Sequence, residues 1–326
     1  MTDPDRPILT STKRTLVDTS TNLEDSARSY AEASKSARTL REYRSDWTRF
    51  LAWCGTEGLS PLPAEPRTVA LFLCARADRG RKVSTIQRNL AAICEAHRLA
   101  GFSSPRSDPA VRAVLQGIRR RLGVAPVQKA PLLVNDLRRA VESLPDSLIG
   151  KRDRLLLLLG FAGAFRRSEL VSLDVDDIKV TENGVEVRLR RSKTDQEGKG
   201  MLKGIPYGSN LVTCPVRAYR AWVEAAAIEN GPVFRRLDRH GNLLPGRLSG
   251  RGVARVVKRA VSAAGLDPDC FSGHSLRAGL ATSAARAGKT DRVIMRQTGH
   301  RSRATLDRYV READLFRENA ASGIGL

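Results

Sequence analysis

The sequence predicts a mainly α chain of two modules, the first all helical and the second α-rich with one small antiparallel β-sheet. Three observations carry that prediction. The chain has 326 residues, 41 % of them apolar, enough for two domains of roughly 100–200 residues with a core each. Apolar residues recur at helical spacing along most of it, and the alternation typical of strands is confined to one stretch near 185–189. Between residues 123 and 131 a run with Gly, two Pro, Gln and Lys interrupts both patterns.

Residues 1–35 are rich in Ser, Thr, Asp and Arg and lack an apolar period, so they are expected to form a flexible arm. From Ser36 onward Leu40, Tyr43, Trp47, Phe50, Leu51 and Cys54 trace a helical stripe, with Arg41, Arg44 and Arg49 off it. Pro66 opens a second helix ending near Gly80. A third runs from about Val83 to Gly101 with Ile86, Leu90, Ile93 and His97 on one face. A fourth, Pro109–Leu122, closes on Arg119, Arg120 and Arg121. The helical module thus covers 36–123, a linker 124–131, and the second module 132–326. The second opens with helices near 134–144 and 148–165. Asn183-Gly184 is a type I′ hairpin signal, after which Val185, Val187 and Leu189 alternate with Glu186, Arg188 and Arg190. The polar stretch 191–200 leads into a strand at 201–206. Helices resume near 214–229, 249–264, 274–287, 290–298 and 303–313.

Composition narrows the function. With 56 Lys and Arg against 35 Asp and Glu, the formal charge is +21, which points to a polyanionic partner, nucleic acid ahead of an anionic membrane. Arg outnumbers Lys by 45 to 11. A GC-rich genome accounts for that ratio as readily as function does, but not for the positive excess. Aromatic residues make up 5 %, which disfavours stacking on single strands and favours duplex DNA held through phosphates. An RNA-binding reading lacks any aromatic or GXXG clamp. The longest apolar run, Leu155–Phe165, falls short of the ~20 residues of a membrane span, and Met1–Thr21 contains no apolar signal-peptide segment. Five scattered Cys without a CxxC pair argue for a reducing cytoplasm and against disulfides. The four His are far apart from one another, so neither a metal nor another cofactor is expected.

Four stretches suit phosphate chemistry. In the first, Arg166 follows the apolar run directly, so its guanidinium projects from a rigid base suited to an anion. Glu169 stands three residues on, and an ordinary surface Arg-Glu pair remains open. Lys193 lies where the hairpin strand passes into a polar loop, where a simply solvated Lys is common and Lys199 competes for any role. In the third, His274 and Arg277 are three apart at a helix start and share one face, near backbone N–H groups that favour an anion. The last is Gly299-His300, followed by Tyr309, whose helical spacing with Leu306 and Val310 also fits a core tyrosine.

Taken in order, Arg166, Lys193, His274-x-x-Arg277, Gly299-His300 and Tyr309, with Glu169 three after the first Arg, strongly resemble the tyrosine recombinases (phage integrase family). The likeness covers about residues 134–315. The helical module resembles the core-binding domain of Cre-like members through Trp53-Cys54, Leu62-Pro63-Ala64-Glu65-Pro66 and Thr85-Ile86-Gln87. Ser272–Ser275 and Ala285–Gly288 are similar to the same branch. The resemblance implies a core DNA-binding domain followed by a catalytic domain. Tyr309 would form a 3′-phosphotyrosine, with Arg166, Arg277 and His300 on the non-bridging oxygens. Lys193 would protonate the 5′-oxygen, His274 would deprotonate or orient the nucleophile, and Glu169 would support the Arg-His arrangement. His at position 300 is the commoner family residue, where Cre has Trp.

DNA contacts implied by the same likeness are Arg41, Arg44, Gln87, Arg88, Arg119, Arg120 and Arg121. Arg251 is the candidate for a base edge, with a phosphate-only or solvent-facing role equally open. The implied partner is double-stranded DNA with short inverted-repeat sites, bound by monomers or dimers and then, after synapsis, by a homotetramer. The tail from Glu312 to Leu326 is expected either to dock on a neighbouring protomer or to fray. No membrane is involved, and the setting is the cytoplasm, at the nucleoid. A type IB topoisomerase-like or telomere-resolvase strand cleavage, or a catalytically silent DNA-binding regulator of the same fold, is the alternative.

Overall fold

Trp47, Phe50 and Trp53 are spaced three apart on one helix, and in the computed structural model Phe50 and Trp53 meet Phe72 from the next. The Phe50–Phe72 ring centroids lie 5.0 Å apart, edge to face, and Trp53–Phe72 5.4 Å. The structure describes residues 34–124, 128–190 and 200–314, together with Leu23, Ser26 and Tyr30. Two compact units divide the chain at Val127/Gln128.

The first unit holds α1 (Ala37–Glu57), α2 (Pro66–Asp78), α3 (Val83–Leu99) and α4 (Pro109–Leu122). Ser36 caps α1 by accepting from the Thr39 N–H, and Gly58 ends it at φ 67°. Asp108 caps α4, and Pro109 occupies the first position, where its missing N–H is harmless. Phe50, Phe72, Leu73, Ile86, Leu90 and Ile93 fill the core. Leu51, placed on the apolar stripe by its spacing, is 38 % exposed. The stripe instead includes Asp46, buried between Arg49 and Arg88. His97 is a core residue whose Nδ1–H donates to the Ile93 carbonyl while Nε2 accepts from the Ala64 N–H. Of the expected arm, Leu23, Ser26 and Tyr30 are helical, and Lys35 is bonded to Glu95 on α3. Helical structure therefore begins before Ser36. Leu23 and Tyr30 are exposed, so this part carries no apolar period to read. The rest of residues 1–33 lies outside the described residues.

Of the expected linker 124–131, residues 125–127 lie outside the described residues. Lys129 and Ala130 are already fastened to the second unit, through the carbonyls of Asp269 and Cys270. That unit contains α5 (Val134–Glu142), α6 (Leu148–Ala162) and the short α7 (Arg167–Ser172), followed by β1 (Ile178–Thr181), β2 (Gly184–Leu189) and β3 (Met201–Pro206). After α8 (Pro215–Ala225) come β4 (Arg235–Leu237), β5 (Leu243–Arg247), α9 (Gly250–Ala263), α10 (Ser275–Arg286), α11 (Asp291–Thr298) and α12 (Arg303–Asp314). Leu155–Leu159 and Phe161 are buried on every face of α6, so the longest apolar run is a central core helix. No helix among the described residues is long and apolar enough to cross a membrane. Buried Asp153 on α6 joins its neighbour Arg152 to Arg259 of α9.

The mainly α prediction with a small antiparallel sheet holds, with two corrections. β1, β2 and β3 pair antiparallel in that order, but Thr181 faces Gly184, so the hairpin turns through Glu182-Asn183. Neither residue has positive φ, which excludes type I′. Gly184 instead opens β2 at φ 149°, where a Cβ would lie 2.1 Å from the Ile205 carbonyl. The second hairpin, β4–β5, left no alternation to read because its residues are only half-buried or exposed.

Gly279 on α10 allows the chain at Leu132 to lie against that helix. A Cβ there would come within 2.0 Å of the Leu132 carbonyl oxygen and 3.0 Å of Phe161. Gly279→Ala is expected to destabilise the second unit by about 1–3 kcal/mol, the usual penalty for overpacking, seen as a lower urea midpoint of its unfolding transition.

Candidate active site

Helix α6 ends at a tight turn that determines where the first arginine goes. A Cβ on Gly163 would lie 2.1 Å from the Phe165 ring, so only glycine lets that ring fold back. Ala164 takes φ 47°, a left-handed conformation uncommon outside glycine. Arg166 then becomes the N-cap of α7. Glu169, 3 % exposed, accepts from both ends of that residue, from its backbone N–H at 2.9 Å and its Nη1 at 2.6 Å. The carboxylate thus fixes the guanidinium from beneath.

Arg277 enters from α10. Only 1 % of it is exposed; Nη1 donates to the Ala164 carbonyl at 2.8 Å, and Nη2 has no hydrogen-bond partner among the described residues. Burial lowers its pKa to about 10, Arg166 adds to the shift, and Glu169 opposes it. A buried guanidinium donor without an acceptor is costly, and an anion is the natural acceptor for it.

His274 stands at the N-cap of α10, with Nε2 3.0 Å from the Tyr309 hydroxyl. The residue retains solvent exposure at its surface, but its ring is crowded. Desolvation first, and then the charges of Arg277, Arg166 and Arg167, lower its pKa. Tyr309 on α12 is 9 % exposed and packs with Leu306, Ile294 and three alanines of α10. Its ring lies parallel to that of His300, with centroids 5.8 Å apart. The Thr298 hydroxyl is 2.8 Å from the Ile294 carbonyl, which can only accept, so its single proton points there. It must then accept from Nδ1–H of His300, at 2.9 Å. His300 is therefore the Nδ1–H tautomer, with Nε2 bare. Burial, followed by Arg277, Arg166, His274 and Lys203, drives its pKa to about 4.

The structure thus brings Arg166, Glu169, His274, Arg277, His300 and Tyr309 into one linked neighbourhood, while Lys193 lies outside the described residues. A lysine that the motifs did not single out occupies this neighbourhood. Lys203 on β3 is 3 % exposed; its ammonium donates to the carbonyls of Gly163 and Gln297 and lies 4.9 Å from the Phe165 ring centroid. Its signal was an inward strand phase shared with Ile205.

Elsewhere, Arg41, Arg44, Arg119, Arg120 and Arg121 are exposed on the first unit and Gln87 is half-buried. Arg88 is not a free cation. Its Nε and Nη2 grip Asp46 at 2.7 and 3.3 Å, and Glu42 lies 3.4 Å from Nη1. Arg251 is exposed at the second position of α9. Among the described residues no group of three His, Cys, Asp or Glu side chains is placed to hold a metal.

A pocket of cations and imidazoles around a tyrosine, on this helical scaffold, is the arrangement of an enzyme that works on phosphodiesters. Residues 132–315 match the phage integrase family, and residues 29–100 match its N-terminal SAM-like domain. The chain belongs to the phage integrase family, the tyrosine recombinases. It is 40 % identical over 312 residues to an integrase/recombinase xerD homolog of Selenomonas ruminantium, covering 94 % of this chain and 91 % of the relative. It is 28 % identical to the recombinase cre of Escherichia phage P1, over 81 % of this chain and 80 % of that one. The fold is that of a lambda integrase fragment solved as a dimer bound to a COC′ core site, with a TM-score of 0.58, 18 % identity and coverage of 94 % and 99 %.

The low pKa of His300 has a definite sign. Its value near 4 lies below the ordinary 6.5, so between those values the unfolded chain binds more protons. The stability linked to this histidine is complete above about pH 6.5 and is lost as pH falls toward 4. Histidine side-chain NMR of the free protein is expected to find His300 neutral even at about pH 5.5, below the usual histidine midpoint. Added orthovanadate, a phosphate mimic, should raise its midpoint. Titration near 6.5 without ligand would contradict the buried cationic pocket.

Proposed function

We propose that the chain cuts and rejoins duplex DNA at short inverted-repeat sites through a 3′-phosphotyrosine, as a site-specific recombinase. The observation that carries this reading is the Tyr309 hydroxyl 3.0 Å from His274 Nε2, beside Arg277 with its unpartnered, buried Nη2. Tyr309 Oη attacks the scissile phosphorus, and its proton passes to the neutral imidazole of His274. A Tyr–phosphorus bond forms as the phosphorus–O5′ bond breaks, and the 5′-oxygen takes its proton from Lys193. Arg166, Arg277 and His300 neutralise the two non-bridging oxygens as negative charge builds there. For His300 to donate through Nε2 it must gain a proton, and the phosphate itself raises its pKa toward that state. Glu169 keeps Arg166 aimed and stays off the phosphate, which it would repel. Attack by the 5′-hydroxyl of another strand reverses the step, and the phosphotyrosine conserves the bond energy.

In this reading residues 132–326 are the catalytic domain and 36–123 bind the core site. Arg41, Arg44, Gln87, Arg88, Arg119, Arg120 and Arg121 lie toward DNA, and Arg251 of α9 is the candidate reader of a base. The buried Asp46 would hold the Arg88 fork in one orientation. Monomers or dimers bind single sites, four protomers complete the exchange on synapsed DNA, and the setting is the cytoplasm at the nucleoid. The named relatives support the recombinase reading.

The test is a duplex selected for binding from a random pool and then nicked next to the cleavage position, so that the freed strand diffuses away. The protein is expected to accumulate a covalent DNA adduct, and Tyr309→Phe to abolish it while retaining binding. Arg277→Ala should lower the adduct rate by about 10²-fold or more with a much smaller loss of affinity. An adduct that persists in Tyr309→Phe would assign the nucleophile elsewhere. Equal losses of rate and affinity in Arg277→Ala would make that residue a docking contact.

A further inference from the structure

Three consecutive carbonyls at the end of α6 are each taken by a side chain from a different element. Gln297 of α11 donates to Ala162 O at 2.8 Å, Lys203 of β3 to Gly163 O at 2.6 Å, and Arg277 of α10 to Ala164 O at 2.8 Å. We propose that Lys203 is a positioning residue for the phosphate pocket, clamping the α6 turn that presents Arg166 to the end of α11 that presents His300. The proposal rests on the recombinase reading and deepens it.

The geometry supports this in three ways. First, the Lys203 ammonium makes a second bond, to the Gln297 carbonyl at 2.7 Å, so one charged group joins β3 to the carbonyl ends of two helices. Helix carbonyl ends carry partial negative charge and favour a cation. Second, the turn it holds is one the chain adopts with difficulty, since Ala164 is left-handed and Phe165 folds back over Gly163. Strain of that kind persists only where the surroundings fix it. Third, the placement is unfavourable for stability alone. An inward position on β3 beside Ile205 suits an aliphatic residue, and burying an ammonium is costly unless it is compensated. Among the described residues no carboxylate is in ion-pair contact with Lys203. Burial lowers the lysine pKa to about 8; Glu169 opposes that only through its field, and Arg277 and Arg166 add to it. The ammonium is bonded to backbone carbonyls and buried, so it acts through Arg166 and His300 and has no direct path to the leaving oxygen.

The experiment compares the parent protein with Lys203→Met, Lys203→Arg and Gln297→Ala on the selected, nicked duplex. A second duplex carries sulfur in place of the scissile 5′-bridging oxygen, so that the leaving group no longer needs a proton. Lys203→Met is expected to bind either duplex within about twofold of the parent and to form adduct at least about tenfold more slowly on both, a loss typical of misplaced catalytic groups. Lys203→Arg should recover most of the rate, and Gln297→Ala should show a smaller loss in the same direction. Thermal unfolding of each variant separates this from loss of the fold; if Lys203→Met does not fold, Gln297→Ala decides. A clamp variant that folds and cleaves at the parent rate overturns the proposal. So does a Lys203→Met whose rate returns with the sulfur duplex, since that places the lysine on the leaving-group path. A parent protein that forms no adduct overturns the recombinase reading itself.

Discussion

The candidate site in the second unit depends on bringing cations together where, among the described residues, the Glu169 carboxylate alone stands among them. Arg166, Arg277 and Lys203 converge from a turn, a helix and a strand; the Glu169 carboxylate acts on both Arg277 and Lys203, and the Tyr309 phenol is a second acidic group acting on Arg277. Like charges in a buried space repel strongly, because the low dielectric that sharpens attraction sharpens repulsion equally. The direction of the pKa shifts records this: Arg277, Lys203, His274 and His300 are all lowered, each by burial first and by cationic neighbours in addition. What holds the arrangement together is backbone. Carbonyls of Ala162, Gly163, Ala164 and Gln297 accept from the charged and amide side chains, giving partial negative charge without adding a carboxylate that would compete with a phosphate.

That solution explains which parts of the site were legible in the sequence. Arg166, His274, Arg277 and His300 could be singled out because each sits beside a local landmark, such as the end of an apolar run, a helix start or a Gly-His pair, and Tyr309 by its place at the end of that ordered series. Lys203 has no such landmark. Its surroundings come from residues about 40 and 94 positions away along the chain, and only its inward phase on β3 hinted at burial. Asp46 escaped for a similar reason. It falls on the buried face of α1, but a reading of apolar periodicity skips an acid even where the helix places it inside. Most helices were visible because their apolar stripes and caps are local. The β4–β5 hairpin was not, since neither strand presents a fully buried face.

Arg88 illustrates how pairing alters the meaning of positive charge. By composition every arginine counts equally toward a polyanion-binding surface, and the first unit exposes many. Yet Arg88 is held by Asp46 and Glu42, and its charge is largely balanced inside the unit. A guanidinium held on one edge by a carboxylate has lost much of its freedom to rotate, so less entropy remains to be lost when it meets an acceptor. Balanced charge adds little to long-range attraction and much to orientation. The exposed Arg41 and Arg44 of α1 and Arg119, Arg120 and Arg121 of α4 do the reverse, adding positive charge with little direction.

The same distinction applies in the second unit at shorter range. Arg166 is aimed by Glu169 and keeps part of its surface open, whereas Arg277 is almost wholly buried and aimed by a carbonyl. One therefore keeps a formal countercharge and the other does not. In the proposed reaction a phosphodiester between them would meet an arginine already paired with a carboxylate and another whose Nη2 lacks any acceptor among the described residues. The larger gain comes at Arg277, where a missing hydrogen bond and an unbalanced charge are both relieved by the same oxygen. His300 would gain as well, because the anion offsets the cationic field that adds to burial in keeping its imidazole neutral. In the proposed reading much of the affinity for a phosphodiester would come from buried positive charge that Glu169 offsets only in part, with neutral carbonyls fixing the side chains that carry it.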